Sequence, residues 1–221
     1  HIPASAYLGP VGMPGVTAWM GLTQICKPKA GETLVVSAAS GAVGSVVGQL
    51  GKAMWCRVVG IAGGAEKCNY VTQQLGFDAC VDYKAHPDSK SLYTALKAAT
   101  PAGVDAYFEN VGGVIMDTVL ARTNPFARVA VCGLIAGYDG APLPMNNAAL
   151  ILVNRLSIQG FIVSERMDLW PEALKTLGER VAKGQLVYKE TISEGLRSAP
   201  EAFLGLLKGQ NFGKQLVRVS E

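Results

Sequence analysis

Thr33-Leu-Val-Val-Ser-Ala-Ala-Ser-Gly-Ala-Val-Gly44, continued by Ser45-Val-Val-Gly-Gln-Leu-Gly-Lys-Ala53, decides the fold of this 221-residue chain. Residues 33–39 are a short apolar run rich in β-branched side chains, and the Lys29-Ala-Gly-Glu32 turn marks its start. That pattern predicts a strand buried in a parallel sheet. From 44 to 53, small and apolar residues recur at helical spacing (Val43, Val46, Val47, Leu50, Met54), giving a helix with one face on the sheet. The order is strand, glycine turn, helix.

The alternation continues outward. Strands are expected at 57–62, 79–82, 104–108 and 128–132, with helices at 66–75, 92–99 and 114–121 between them. Another strand, at 156–163, follows a loop that carries Pro142 and Pro144. Repeated β-α units imply a doubly wound parallel α/β sheet with helices on both faces, here assigned to residues 21–186. The ends fit it less well. A helix opened by Pro14 runs through Trp19 and Leu22 until Pro28 closes it. A helix at 168–183 is followed by a strand (187–192), a helix (199–208) and a strand (215–219), so residues 1–20 and 187–221 read as pieces of a second unit.

Composition narrows the function. The chain is 49% hydrophobic and 17% charged, with 26 glycines, which excludes a disordered or collagen-like chain. The longest apolar stretches fall far short of the roughly 18 residues a spanning helix needs, and no secretory signal pattern opens the chain. A net charge of +3, evenly spread, gives no footprint for nucleic acid or a membrane surface. A small-molecule partner is expected. The five cysteines, Cys26, Cys56, Cys68, Cys80 and Cys132, form an odd set without a C-x-x-C pair. That argues for reduced thiols in a cytoplasmic protein rather than a disulfide framework or a zinc ribbon.

Ala39-Ser-Gly-Ala-Val-Gly44 matches the dinucleotide fingerprint with alanine in place of its first glycine. Gly41 allows the backbone to approach a pyrophosphate, and Gly44 allows the helix to pack close to the strand. The helix N-terminus then faces the anion. NAD sites place Asp or Glu at the end of the second strand to hold the ribose 2′-hydroxyl. Here that strand ends Ile61-Ala-Gly-Gly64 and Lys67 follows, which suits a 2′-phosphate and so NADP(H).

Three other patterns carry less. Tyr93-Thr-Ala-Leu-Lys97 has the Tyr-Lys spacing of short-chain dehydrogenases, but it comes too soon after the glycine loop and reads as a solvated helix pair. Gly209-Gln-Asn-Phe-Gly-Lys214 has one residue too few between its glycines for a Walker loop. His1 and His86 are the only histidines and no G-x-S-x-G elbow occurs, so a Ser-His-Asp hydrolase or a multi-His metal site has too few parts.

Several segments together resemble the zinc-free medium-chain dehydrogenase/reductases, in their NADPH-dependent alkenal/one, prostaglandin and curcumin reductase branch. They are Gly12-Met-Pro-Gly-Val-Thr-Ala-Trp19, Ser37-Ala-Ala-Ser-Gly-Ala-Val-Gly44, Gly63-Gly-Ala-Glu-Lys67, Glu109-Asn-Val-Gly-Gly113, Cys132-Gly-Leu-Ile-Ala-Gly-Tyr138 and Leu207-Lys-Gly-Gln-Asn-Phe-Gly-Lys214. The resemblance implies that Gly41, Ala42, Val43 and Gly44 hold the pyrophosphate and that Lys67 and Tyr83 hold the 2′-phosphate. It also implies that the nicotinamide half is lined by Asn110 and by Cys132, Gly133, Leu134, Ile135, Ala136, Gly137 and Tyr138. Phe161, Ile162, Val163 and Asn211 join them there, and no metal is implied.

Tyr138 is the implied catalytic residue. Reducing a conjugated C=C develops negative charge on the carbonyl oxygen, and a phenol can donate to it. Asp139 stands where the branch more often has Asn. Family members also carry a GroES-like catalytic domain ahead of this region, and the flanks 1–20 and 187–221 are expected to belong to it or touch it. The substrate expected is an enone or enal, with a homodimer as a further possibility. A quinone oxidoreductase of the same superfamily is the alternative, and a cofactor-binding module without activity of its own is a second. A sizeable exposed apolar patch beside the nicotinamide site is also expected.

Overall fold

Every expected strand of the central region pairs in parallel. The computed structural model describes residues 2–220, and His1 and Glu221, the outer ends of the two flanking segments, lie outside the described residues. Strands β1 (Thr33–Ser37), β2 (Arg57–Ala62), β3 (Ala79–Asp82), β4 (Val104–Glu109), β5 (Thr123–Val131) and β6 (Ser157–Gly160) form one sheet in the order β3-β2-β1-β4-β5-β6. This is the doubly wound Rossmann order, with its reversal between β1 and β4.

The inner strands β1, β2 and β4 are buried on both faces, successive side chains pointing to opposite sides of the sheet. Leu34, Val36, Val58 and Phe108 point into one apolar cluster with Val46 and Leu50 of α2 (Gly44–Ala53), Val71 of α3 (Ala65–Gln73) and Leu177 of a late helix. Val35, Val59, Ile61 and Tyr107 point into the other, where Leu92 and Leu96 of α4 (Ser89–Ala99) and Ile115 and Leu120 of α5 (Gly113–Leu120) cover them. Each such side chain withdrawn from water contributes about 1.5–3 kcal/mol. Tyr93 and Lys97, the short-chain-like pair, lie on α4 outside the buried face.

The differences from expectation have local causes. The first helix, α1 (Met13–Met20), does not run on to Leu22 as an α-helix. It widens into i→i+5 turns over Gly21–Cys26 and stops where Lys27 adopts a left-handed φ of 40°. A Cβ at Gly21 would stand 2.5 Å from the Phe108 ring, so the widened segment presses directly on the sheet. Through Val16, Trp19 and Met20, α1 joins the main core. The strand expected at 156–163 ends at Gly160, and the Pro-rich loop before it contains a short helix, α6 (Ala149–Val153), too brief to show a period. The helix expected at 168–183 is α7 (Trp170–Ala182), entered through tight turns at Val163–Leu169.

The C-terminal segment forms β7 (Glu190–Glu194), α8 (Ala199–Leu207) and β8 (Lys214–Arg218). β7 and β8 make a separate parallel pair, and a parallel bridge between Gly41 and Gly213 brings that unit back onto the glycine loop.

Candidate cofactor cleft

The glycine loop is shaped by one left-handed residue and one close approach. β1 ends at Ser37 and Ala38 turns the chain at φ 48°. The Ala38 carbonyl accepts from Gly41 N–H at 2.9 Å. A Cβ at Gly44 would lie 2.4 Å from that same oxygen, so only glycine lets α2 start this close to the strand. Among the described residues the N–H groups of Val43 and Gly44 have no acceptor. These are the unsatisfied donors of a helix start, and they border open space.

That space is a cavity of about 810 Å³, the size of a cofactor pocket. It opens at the carboxyl ends of the strands, at the β1/β4 reversal. Gly41, Ala42, Val43 and Gly44 form one wall. Lys67 and Tyr83 stand at one end, and Asn110, Cys132, Gly133, Ile135, Ala136 and Tyr138 at the other, with Asn211 contributed by the C-terminal segment. Five residues implied by resemblance lie off this wall. Leu134 and Gly137 pack against Gly112 and Leu143, Phe161 meets Phe108 edge-on at 6.3 Å, Val163 packs on the main core, and Ile162 is exposed.

The Lys67 end is cationic. Lys67 Nζ donates to the Gly209 carbonyl at 2.7 Å, and burial, then the charge of Lys84, lowers its pKa. Lys84 lines the same end. Among the described residues neither lysine has a carboxylate in ion-pair range. An anion placed between them relieves that repulsion. Asp82 arranges this corner: its Oδ1 accepts from Gly64 N–H at 2.7 Å and from Lys84 N–H at 3.0 Å. The Tyr83 ring lies against Gly63, where a Cβ would come within 2.8 Å of its Oη. Burial raises the Tyr83 pKa, so the phenol stays a donor. Sequence reasoning missed Lys84, whose one signal was its place directly after Tyr83.

The opposite end is organised by a buried carboxylate. Glu109 closes β4, fully buried, and accepts from Ser37 Oγ at 2.9 Å, Gly112 N–H at 3.0 Å, Tyr107 Oη and Val111 N–H. Burial raises its pKa against the pull of those donors. Asn110 is held on both sides: its Nδ2 donates to the Ser37 carbonyl at 2.7 Å and its Oδ1 accepts from Cys132 Sγ at 2.8 Å. Burial pushes the Cys132 thiol up to about 12, which keeps it a neutral donor. Tyr138 remains 63% exposed, with its Oη 3.4 Å from where a Cβ of Gly133 would stand. Val114, also on the cavity wall, is half exposed, so apolar surface is open at this end.

Residues 42–179 match the family described as zinc-binding dehydrogenase. The chain belongs to that family. Among the described residues no group of three or more His, Cys, Asp or Glu could hold a metal ion. The chain is 47% identical to the NADPH-dependent curcumin reductase of Escherichia coli K12, over 96% of this chain and 63% of that protein. It is 44% identical to the NADP(+)-dependent 2-alkenal reductase of Nicotiana tabacum, over 99% and 65%. Its fold superposes on CurA from Vibrio vulnificus, solved in complex with NADPH, with a TM-score of 0.92 and 45% identity over 98% of this chain and 65% of that one. The chain thus spans slightly less than two thirds of the length of these relatives. No helix among the described residues is long and apolar enough to cross a membrane.

Proposed function

We propose that this chain is the NADP(H)-binding part of an oxidoreductase that reduces the C=C bond of α,β-unsaturated ketones and aldehydes. The observation that carries the reading is a single cavity with a cation pair lacking carboxylate partners at one end, free helix-start N–H groups in the middle and an exposed phenol at the other. The names of the curcumin and 2-alkenal reductases support it.

Gly41, Ala42, Val43 and Gly44 cradle the pyrophosphate, with the N–H groups of Val43 and Gly44 donating to it at the start of α2. Lys67 and Tyr83, joined by Lys84, hold the 2′-phosphate. Asn110, Cys132, Gly133, Ile135, Ala136 and Asn211 border the nicotinamide half, with Leu134 and Gly137 packed behind them and Phe161, Ile162 and Val163 joining from the segment after β6. When bound, NADPH supplies the hydride. Tyr138 donates to the substrate's carbonyl oxygen, where negative charge develops as the β-carbon is reduced.

In this reading the Rossmann part is 21–186, and the flanks 1–20 and 187–221 touch a further domain of the parent enzyme that covers the Tyr138 end. The chain alone then binds cofactor without turning over substrate. The same reading gives a reducing, cytoplasmic setting for its five free thiols, a small-molecule substrate, no role for nucleic acid or membrane, and an enzyme that works as a homodimer. Titrating this chain with NADPH and with NADH tests the cofactor. Tighter binding of NADPH is expected, and equal affinity for the two overturns the assignment.

A further inference from the structure

Cys68, in the first turn of α3, and Cys80, in β3, have their Sγ atoms 2.8 Å apart. The other three thiols are engaged elsewhere: Cys26 donates to the Tyr107 carbonyl, Cys56 to the Lys29 carbonyl and Cys132 to Asn110. A disulfide has an S–S length of about 2.05 Å, so the pair needs to close by less than about 1 Å. Both residues are only partly covered. The hydrogen bond from Cys80 holds the Cys68 thiol below its ordinary value against burial and the charge of Asp82, while the same bond and burial raise Cys80. One sulfur is thus disposed to be the nucleophile, with a neutral partner beside it.

We propose that Cys68 and Cys80 are an oxidisable dithiol that closes to an intramolecular disulfide when the protein meets hydrogen peroxide. The Cys68 thiolate attacks one peroxide oxygen and breaks the O–O bond. This gives a sulfenic acid and hydroxide, which takes up the thiol proton as water. Cys80, losing its proton, attacks the Cys68 sulfur and expels the hydroxyl as a second water. Two thiols give up two electrons, and one peroxide becomes two waters.

The bond would lie behind the cationic corner. Lys67 immediately precedes Cys68, and Asp82, two residues beyond Cys80, holds the backbone of Gly64 and Lys84. Drawing α3 towards β3 displaces Lys67 from its place against Gly209 and weakens the grip on a 2′-phosphate. This consequence rests on the NADP(H) reading, whereas the disulfide itself does not.

The test is to treat the whole chain with stoichiometric hydrogen peroxide, alkylate it under denaturing conditions and map its peptides without reduction. A single link between the peptides carrying Cys68 and Cys80, reversed by dithiothreitol, is expected, with Cys26, Cys56 and Cys132 still alkylated. Five free thiols, a link through another cysteine or a covalent dimer overturns the proposal. Cys68→Ser and Cys80→Ser should each abolish the link, but the mapping of the unaltered chain decides without depending on how the variants fold. Titrations of reduced and oxidised chain then read the consequence: NADPH affinity falls about threefold or more on oxidation while NADH affinity holds. An unchanged NADPH affinity overturns the coupling. A reduced chain with no preference between the two nucleotides instead overturns the cofactor reading and leaves the disulfide standing.

Discussion

At the residue scale, two lysines from different elements, Lys67 and Lys84, meet at one end of the cleft. Lys67 has one carbonyl partner and a like-charged neighbour in Lys84, so its charge is undercompensated. A charge-assisted contact to a phosphate is worth about 1.5–3 kcal/mol. Lys67→Ala is therefore expected to weaken NADPH about tenfold or more and NADH by less than about twofold, measured by fluorescence titration. Equal losses would take Lys67 out of the phosphate site. Lys67 was legible in the sequence because the missing acid after the second strand is a local signal. Lys84 was not, because only the turn held by Asp82 brings it round to the same wall.

At the element scale, α2 is held by a close approach to Phe77. A Cβ at Gly48 would stand 1.7 Å from the Phe77 ring, which is itself buried. Alanine in a helix gains up to about 1 kcal/mol over glycine, but overpacking a rigid buried ring costs about 1–3 kcal/mol or more. The clash wins. Gly48→Ala is expected to lower the urea midpoint, and an unchanged midpoint would mean that Phe77 can swing aside without loss.

The far ends of α2 and β2 are tied through Asp78, which accepts from Lys52 Nζ at 2.9 Å and from Val58 N–H at 2.7 Å. Burial pushes the Asp78 pKa up, but Lys52 and the Val58 N–H outweigh it and hold the carboxyl below its ordinary range. A depressed carboxylate stabilises the fold above its unfolded pKa of about 3.9, and that contribution disappears as pH falls through the folded value. The melting temperature of the wild-type chain should therefore fall between about pH 5 and about pH 3, and that of Asp78→Asn should fall less. Identical slopes would show that Asp78 carries no such share.

At the scale of the whole molecule, the cleft is built from parts of the chain that are far apart in sequence: the β1–α2 loop, the segments after β2 and β3 that carry Lys67, Tyr83 and Lys84, the β4 and β5 ends, and the returning segment at 209–213. In the full-length parent enzyme, NADPH oxidation is expected to run faster with an enone than with a quinone, measured in parallel. The 221-residue chain alone should give neither rate above background. Steady enone-dependent oxidation by the chain alone would overturn its reading as a binding module, and a quinone preference in the parent would favour the quinone oxidoreductase alternative.

The amino-acid sequence by itself determined the alternation of strands and helices, the glycine loop in the first unit and the missing acid after β2. These depend on local periodicity and on what a single backbone position allows. It ran the first helix on through Leu22, extended the last sheet strand to 163 and had only a loop where α6 forms, because packing on the sheet overrides propensity in segments that short. Only the tertiary structure decided that β1 and β4 lie side by side, that Lys67 and Lys84 converge on one wall, that Gly213 returns to Gly41, and that Cys68 meets Cys80. Those meetings join residues from separate elements, and the burial of the two sheet faces, rather than any local pattern, sets their distances.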